Sequence, residues 1–336
     1  MSDKKMLTAS LSPHIKSPKT TTAIMLDVIV ALIPSLVAAV FIFGYRALAV
    51  TGVTVGTCVI SEYISRLVMK RRNTIGDLSA VVTGIILAFN LPSTIPLWMA
   101  AFGSLVAIVV VKQMFGGIGQ NFVNPAIAAR IILMVSFPTA MTASFPNAFA
   151  WKNETIDAIT SATPLAALKS GGEIPAIRDM LLAKSGSLGE VCAVTLILGG
   201  VYLVIRRVIS PVIPLFYVGT TAAIMLVYGA VKNENAVMFM LCQILGGGLL
   251  LGSIFMATDY ATSPISFKGK IIFAIGCGVI TSVIRLFGNS AEGVSFSIII
   301  MNILVPHIDR LTTPRPFGTV KEKKHKKASD EKEATA

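Results

Sequence analysis

The residues best suited to chemistry are hydroxyl side chains in one long connection between apolar segments. Thr160, Ser161 and Thr163 lie within residues 142–187, whereas most other connections are only a few residues long. A loop of this length is usually functional or disordered. Hydroxyl residues before a proline are also common in turns, and Pro164 suits the first position of a helix. Without further context the segment therefore favours a helix-capping turn over a functional site.

A second candidate site combines a glycine-rich turn with amide side chains. Gly116 to Gly119 precede Asn121 and Asn124, and Pro125 marks a helix start. The N-terminus of a half helix, with spare N–H groups, can bind an anionic or carbonyl-bearing ligand. Close helix packing through glycine, with asparagine as a helix cap, is the structural alternative.

The sequence lacks the residues that several other kinds of chemistry require. The four cysteines are dispersed in apolar runs without a CxxC pair, and the three histidines have no metal-ligand spacing, so we predict no metal site. No GxGxxG motif follows a strand, so the sequence predicts no dinucleotide-binding site in this chain. We also find no catalytic triad or acid–base pair, and predict no catalytic residue in this chain alone.

The composition indicates the class of protein that must position these residues. Of the 336 residues 54% are hydrophobic and 14% are charged, whereas soluble proteins carry about 25% charged residues. Too few polar side chains remain to cover two soluble domains. The sequence therefore predicts an all-α integral membrane protein.

Ten apolar segments are candidates for membrane spans. A bilayer core of about 30 Å needs roughly 20 apolar residues per helix. The segments are 23–43, 46–65, 78–91, 95–111, 124–141, 188–205, 211–230, 236–257, 270–287 and 293–309. The third is short and is closed by Asn90 and Pro92, which is typical of a broken or half helix buried among others.

The basic residues predict the orientation. An even number of spans places 21 of the 29 Lys and Arg residues on the side of the N-terminus and seven on the other side, and Arg130 lies inside a span. Both termini are therefore expected in the cytoplasm. The predicted divisions are a cytoplasmic segment at 1–22, a first membrane half at 23–141, an extracytoplasmic loop of roughly 45 residues at 142–187, a second half at 188–310 and a basic cytoplasmic tail at 311–336. We expect the lysine-rich tail to lie in solvent or against anionic lipid, not to bind nucleic acid.

Four charged residues lie in or near the spans. Charges inside a membrane are costly and are candidates for function, whereas residues at the interface can extend towards water. We interpret Asp77 as a helix cap, and Glu62 and Asp259 lie near span ends. Arg130 lies six residues into its span and should have a carboxylate or carbonyl partner.

The two halves of the chain have a faint internal similarity. The stretch from Gly119 to Ala126 opens the fifth span, and the stretch from Gly288 to Ser295 opens the tenth. Because five is odd, the second set of helices would be inverted relative to the first. Two inverted five-helix repeats are common among transporters, with sites at the repeat interface.

The chain resembles a known family over about residues 7–318. Asp157-Ala-Ile-Thr160-Ser161-Ala162-Thr163 resembles the flavinylation motif, which is an Asp, two variable residues, Ser or Thr, usually Gly, and Ala-Thr; Ser161 stands where Gly is usual. The segments 12–14, 116–126, 255–264 and 285–293 resemble the D subunit of the Rnf electron-transport complex. They are more distantly similar to the B subunit of the sodium-translocating NADH:quinone oxidoreductase.

The resemblance implies a membrane flavoprotein subunit of an ion-translocating ferredoxin:NAD+ oxidoreductase in the bacterial cytoplasmic membrane. A flavin transferase would link FMN through its phosphate to Thr163, with Asp157, Thr160, Ser161 and Ala162 completing the motif. Asn121 and Asn124 would line a site for riboflavin or another second, non-covalent flavin. Other membrane and peripheral subunits would be the partners, and redox steps would drive Na+ or H+ across the membrane.

Two further functions are compatible with the sequence. A transporter or channel for a small polar solute would also use ten spans, inverted halves and broken helices. A structural anchor would use the long loop only to dock a partner.

Overall fold

The computed structural model describes residues 19–142, 186–232, 235–288 and 292–314, together with residues 145, 149, 165, 168, 180 and 181. Within these residues all regular secondary structure is helical. The helices are α1 (Thr21–Phe43), α2 (Tyr45–Val68), α3 (Ser79–Phe89), α4 (Leu97–Gln113), α5 (Pro125–Ser136), α6 (Pro138–Thr142), α7 (Ala193–Ile205), α8 (Val212–Val231), α9 (Ala236–Leu245), α10 (Leu249–Met256), α11 (Phe267–Phe287) and α12 (Val294–Thr312).

Local sequence explains where several helices begin. The side-chain oxygens of Thr20, Asn124 and Ser266 accept backbone N–H groups of the first turns of α1, α5 and α11. These hydroxyl and amide groups satisfy donors that have no partner within the helix. Pro125 occupies the first position of α5, where its missing N–H costs nothing.

The helices are those of an integral membrane protein. Among the described residues, α1, α2, α8, α11 and α12 are long and apolar enough to cross a bilayer, and α9 with α10 forms a sixth, bent by 60°. Four shorter apolar helices, α3, α4, α5 and α7, complete the set of apolar helices in this part of the chain. Large apolar side chains such as Phe41 and Val135 point outwards, 69% and 72% exposed, as expected of a surface that faces lipid.

The helices pack as two groups that meet along α1, α7, α5 and α12. In the first group α2 packs against α3 and α4; in the second, α8 packs against α9 and α11. Contacts between α1 and α7, and between α5 and α12, join the two groups. The core of buried apolar residues runs through both of them.

The ends of the helices define two faces of the molecule. The starts of α1, α3 and α5 and the ends of α4, α7 and α10 line one cavity and therefore share one face, called here the N-terminal face. At the other face, the chain entering α7 pairs with the chain leaving α3. The N–H groups of Leu188 and Gly189 donate to the carbonyls of Leu91 and Phe89 over 3.0 and 2.8 Å.

The apolar segments predicted from the sequence are helical, with two internal differences. The segment 124–141 is divided between α5 and α6 at Phe137 and Pro138. The segment 236–257 is divided between α9 and α10 at three glycines, of which Gly247 and Gly248 have φ of 62° and 65°. Such backbone conformations are accessible to glycine at little cost.

Arg285 corrects one detail of the charge distribution. The sequence count assigns it to the side opposite the N-terminus as an orientation charge, but its side chain is buried: it lies in the last turn of α11 and is 4% exposed. Its guanidinium donates to the carbonyls of Gln243, Gly246 and Gly247. The break after α9 leaves carbonyls without helical partners, and these acceptors make burial of the arginine possible.

A close helix crossing makes the stability of the fold sensitive to Gly199. A Cβ at Gly199 of α7 would lie 2.4 Å from the carbonyl oxygen of Ala31 in α1, whereas one at Gly219 of α8 would meet nothing within 4 Å. We expect Gly199→Ala to destabilise the protein by about 1–3 kcal/mol through overpacking. Gly219→Ala should be neutral or stabilising by up to about 1 kcal/mol, because alanine favours the helix. Thermal denaturation in detergent compares the two; equal midpoints would contradict the close crossing.

Candidate functional site

A cavity of ≈ 340 Å³ lies between the two helix groups at the N-terminal face. Its wall is mostly apolar, with side chains such as Ile24, Val82 and Phe255. A small number of polar groups also face it, among them Ser79, Thr83, Lys112, Asn121, Asn124 and Asp259. Small-molecule sites in proteins typically have this volume and this combination of an apolar wall with few polar groups.

The two asparagines predicted from the sequence both line this cavity. Asn124 Oδ1 accepts from the N–H groups of Ala126 and Ile127, so it caps α5, and its Nδ2 donates to the carbonyl of Met256 over 3.3 Å. Asn121 Nδ2 donates to the carbonyl of Val123 over 3.0 Å. The capping role given above as the structural alternative is therefore present for Asn124, and both asparagines form part of the cavity wall.

The glycine turn before Asn121 brings the backbone against a buried arginine. Gly116 and Gly117 have φ of 125° and 109°, which side-chain-bearing residues rarely adopt. A Cβ at Gly117 would lie 2.1 Å from Nη2 of Arg66, which is 8% exposed at the end of α2. The turn therefore needs glycine both for its backbone angles and for the space that the guanidinium occupies.

A buried ion pair forms one edge of the cavity. Lys112 Nζ lies 2.8 Å from Glu62 Oε2 of α2 and 2.7 Å from Ser79 Oγ of α3. The other carboxylate oxygen of Glu62 accepts from the Thr74 hydroxyl over 2.9 Å. Because the carboxylate is fully buried and the ammonium nearly so, each charge requires the other.

A carboxyl group of the chain leaving α10 also lines the cavity. Asp259 Oδ2 accepts from the Thr262 hydroxyl over 3.3 Å. Burial raises the pKa of Asp259 above its ordinary value, and hydrogen bonds from the Ala261 backbone and from the Thr262 and Asn121 side chains oppose that rise. Burial disfavours the charged carboxylate, whereas these donors favour it.

A polar cluster joins the two helix groups beyond the cavity. Arg130 of α5, 4% exposed, donates to Asn90 Oδ1 over 3.1 Å and to Ser295 Oγ over 2.8 Å, and it pairs with Glu292. Asn90 Nδ2 in turn donates to the carbonyl of Ile86. An arginine inside a span is expected to have a carboxylate or carbonyl partner, and its carboxylate partner is Glu292, which directly precedes the N-cap residue Gly293 of α12.

The predicted attachment segment lies outside the described residues. This applies to Asp157, Thr160, Ser161, Ala162 and Thr163, so their role stays a prediction. The nearest described residue along the chain is Leu165, which is 3% exposed. Its methyl groups lie against Gly246 and Gly247, the break between α9 and α10. Leu165 is therefore packed against the break within the bent pair of α9 and α10.

Sequence reasoning does not identify the Lys112–Glu62 pair as part of a site. The charge count treats Lys112 as a topology charge in a connection, and Glu62 is notable there only for its position near a span end. A basic and an acidic residue at the ends of two spans that share one face is a signal for such a pair. The sequence alone, however, does not show that the two helix ends lie side by side.

These observations define the class: a multi-pass helical membrane protein with a ligand-sized cavity between two helix groups, one buried ion pair at the edge of the cavity and another between the groups. Residues 8–318 match the model of the NQR2, RnfD, RnfE family. The chain belongs to this family.

Several relatives are similar to this chain over nearly their whole length. The chain is 45% identical to the D subunit of the Na(+)-translocating ferredoxin:NAD(+) oxidoreductase complex of Acetobacterium woodii, covering 96% of this chain and 98% of that protein. It is 40% identical to the D subunit of the proton-translocating ferredoxin:NAD(+) oxidoreductase complex of Clostridium ljungdahlii, with 94% and 97% covered. It is 36% identical to the D subunit of the ion-translocating oxidoreductase complex of Stutzerimonas stutzeri, with 88% and 91% covered.

Proposed function

We propose that this chain is the D-type membrane subunit of an ion-translocating ferredoxin:NAD+ oxidoreductase. The observation that carries the proposal is the 45% identity to such a subunit over 98% of its length. The chain has no fingerprint for a dinucleotide, so the sites for ferredoxin and NAD+ belong to partner subunits. Its own role is to hold electron carriers in the membrane while the complex moves Na+ or H+. Purification with the partner subunits from a tagged chain tests membership in the complex.

The first carrier in this proposal is FMN bound covalently to Thr163. The support is the motif from Asp157 to Thr163, the length of the connection that contains it and the family to which the chain belongs. A phosphoester fixes the cofactor to the protein and leaves its ring free for redox chemistry. A flavin transferase is the partner that would form the bond.

The second carrier is a non-covalent flavin in the cavity beside Asn121 and Asn124. The cavity volume suits a drug-sized planar ring system, and amide, hydroxyl and ammonium groups converge on it. Lys112, the one basic side chain among the described lining residues, is already paired with Glu62. The first N–H groups of α5 are capped by Asn124. The described part of the wall therefore offers no phosphate site, which favours riboflavin over FMN.

The proposed arrangement in the membrane is ten spans with both termini in the cytoplasm. The helices from α1 to α5 and from α7 to α12 then form two inverted sets of five, with α9 and α10 as one broken span. The packing supports this arrangement, since α2 contacts α3 and α4 as α8 contacts α9 and α11. It also pairs α1 with α7, and α5 with α12, which are equivalent members of the two sets. The cavity and the Thr163 loop then lie on opposite sides of the membrane.

Filling the cavity should remove the second flavin and spare the first. Ala126 and Thr83 lie on different walls and are 1% and 8% exposed. We expect Ala126→Phe and Thr83→Phe each to lower acid-extractable flavin at least tenfold, because a phenyl ring occupies the space of the ligand. Val135→Phe, on the lipid-facing side of α5, is the matched control and should retain both flavins. Extractable flavin that is unchanged in both cavity variants would contradict the assignment.

The alternative is a transporter for a small polar solute. The observation that favours a transporter is the break between α9 and α10. Carbonyl groups in this break accept hydrogen bonds from Arg285 and have no helical partner. Absorbance separates the two functions. Flavin peaks that persist after acid precipitation support electron transfer, and colourless protein from cells with an active flavin transferase supports transport.

A further inference from the structure

Arg66 is a buried cation for which no described residue supplies a counter-charge. Its side chain lies in the last turn of α2, and the residue is 8% exposed. The Nε atom is buried without a hydrogen-bond partner, and no described residue pairs with the guanidinium. Burial of a charge is costly unless an opposite charge or several hydrogen bonds compensate it. The position of Arg66 therefore requires an anionic group to complete it.

The carboxylate nearest to Arg66 along α2 is already occupied. Glu62 lies one turn earlier, and its two oxygens accept from Lys112 and from the hydroxyl of Thr74. The buried group thus contains two cations, Lys112 and Arg66, and one carboxylate, Glu62. One positive charge remains in excess, and a singly charged anion would balance it.

The end of α2 is closed by its own backbone. The N–H group of Lys70 donates to the carbonyl of Leu67 over 3.1 Å, and that of Arg71 donates to the carbonyl of Arg66 over 3.0 Å. Lys70 has a φ of 52°, so this arrangement is a Schellman motif. The terminal carbonyls of the helix are therefore used by the following chain and do not serve as acceptors for the guanidinium.

Exposed apolar side chains flank the residues that enclose the guanidinium. Leu67 and Val68, at the end of α2, point outwards. The turn at Gly117 lies between Phe115 and Phe122, which are also exposed and whose ring centroids are 4.8 Å apart. In a membrane protein such side chains at the end of a span face the acyl chains of lipid close to the headgroups.

Exposed basic side chains follow at the same end of the helix. Residues 70–72 are Lys-Arg-Arg and are exposed, and no Asp or Glu occurs between residues 63 and 76. The packing of Arg66 against Gly117 places this segment beside the end of α4, at the N-terminal face. Basic clusters next to a membrane span attract anionic lipid headgroups.

We propose that Arg66 binds the phosphodiester group of an anionic phospholipid at the N-terminal face. A guanidinium offers paired N–H donors that match two phosphate oxygens. Residues 70–72 attract the headgroup, and the apolar side chains at the end of α2 contact the acyl chains. Gly117 leaves the space for the guanidinium, since a Cβ there would lie 2.1 Å from Nη2. The site is separate from the cavity, which Arg66 does not line, and it does not depend on the proposed flavins.

Lipid-dependent stability tests the site. The solubilised protein, with any partner subunits that co-purify, is stripped of lipid in a neutral detergent and denatured thermally with phosphatidylglycerol or with phosphatidylcholine. A ligand that binds only the folded state raises its stability. We expect phosphatidylglycerol to raise the midpoint of the unmodified protein more than phosphatidylcholine does. In Arg66→Gln this difference should vanish, whereas the midpoint without lipid should not fall, because the variant removes an uncompensated charge.

Native mass spectrometry measures the binding itself. The apparent affinity for the first phosphatidylglycerol should be about tenfold weaker in Arg66→Gln, since hydrogen bonds to charged groups are among the strong ones. Arg71→Gln makes the same change in charge at an exposed position and should retain most of the affinity, because water and salt screen that residue. Arg66→Lys retains the charge without the paired donors and should have an intermediate affinity.

Three results would overturn the site. Equal losses in Arg66→Gln and Arg71→Gln would show a diffuse basic surface. Undiminished stabilisation by phosphatidylglycerol in Arg66→Gln would show that the lipid binds elsewhere. A midpoint that falls equally with and without lipid in this variant would assign Arg66 a purely structural role.

The source of the anion is determined with the unmodified protein, so this arm holds even where a variant does not fold. Glycerol 3-phosphate carries the anionic group without acyl chains and should stabilise the protein much less than phosphatidylglycerol at equal concentration. Equal stabilisation would contradict a lipid site and favour a free phosphate compound. No preference for phosphatidylglycerol over phosphatidylcholine would overturn the proposal, and so would loss of a co-purifying subunit from Arg66→Gln in the presence of phosphatidylglycerol.

Discussion

In a Thr163→Val variant we expect complete loss of covalent flavin from this chain, with membrane insertion unchanged. Valine has nearly the shape of threonine but lacks the hydroxyl that forms the phosphoester. The readout is flavin fluorescence of the denatured subunit after gel electrophoresis, which reports only covalently bound cofactor. The amount of folded complex, measured by size-exclusion chromatography, should equal that of the unmodified chain, because the change removes one hydroxyl and no apolar surface.

Two neighbouring substitutions serve as controls for the attachment site. Ser161→Gly brings the segment closer to the usual motif and should leave the fluorescence undiminished. Thr163→Ser retains a hydroxyl at the same position and separates loss of the acceptor group from loss of the threonine itself. Fluorescence that persists in Thr163→Val would show that the flavin is attached elsewhere, or that another residue replaces Thr163 as acceptor.

The second large effect is expected from Arg130→Met. Arg130 connects α5 with Asn90 after α3 and with Ser295 and Glu292 of the second helix group. Removal of one partner of a buried ion pair leaves the other charge uncompensated and typically costs about 3–5 kcal/mol. We expect a marked fall in the thermal midpoint of the solubilised complex, measured by loss of its monodisperse chromatographic peak.

Matched variants distinguish buried pairing from a general effect of losing an arginine. Arg206 pairs with Asp27 over 3.2 Å, but its side chain is 56% exposed. Arg206→Met should therefore lower the thermal midpoint much less than Arg130→Met, because water screens the pair. The double variant Arg130→Met with Glu292→Gln should recover part of the lost stability, since no buried charge remains. Equal losses in Arg130→Met and Arg206→Met would argue against a buried structural pair.

The helical segments could be predicted because the bilayer requires them to be apolar and long. The segment 212–231 differs from its prediction by one residue at each end, since its apolar run and its helix coincide. Internal breaks are less predictable. The glycines at 246–248 separate α9 from α10. Glycine in a membrane helix, however, often allows close helix packing without interrupting the helix, so these glycines alone do not predict a break. The burial of Arg285 depends on the carbonyl groups of that break, which the sequence pattern does not reveal.

The candidate site was predictable in part. Asn121 and Asn124 stand out because amides after a glycine turn are unusual within apolar sequence, and both line the cavity. The spacing of the two asparagines does not show which of their polar atoms already form hydrogen bonds within the protein. The edge formed by Lys112 and Glu62 depends on two helix ends that are 50 residues apart in the chain. Such a contact follows from packing, which local sequence pattern does not determine.

The most direct test of the proposed flavoprotein role is peptide mass spectrometry of the chain isolated from cells that contain a flavin transferase. Trypsin should release the peptide 153–169, which contains the whole motif. We predict that this peptide carries the added mass of one FMN less one water, with fragment ions that place it on Thr163. An unmodified peptide 153–169 as the main species from flavinylation-competent cells would contradict the role proposed for this chain.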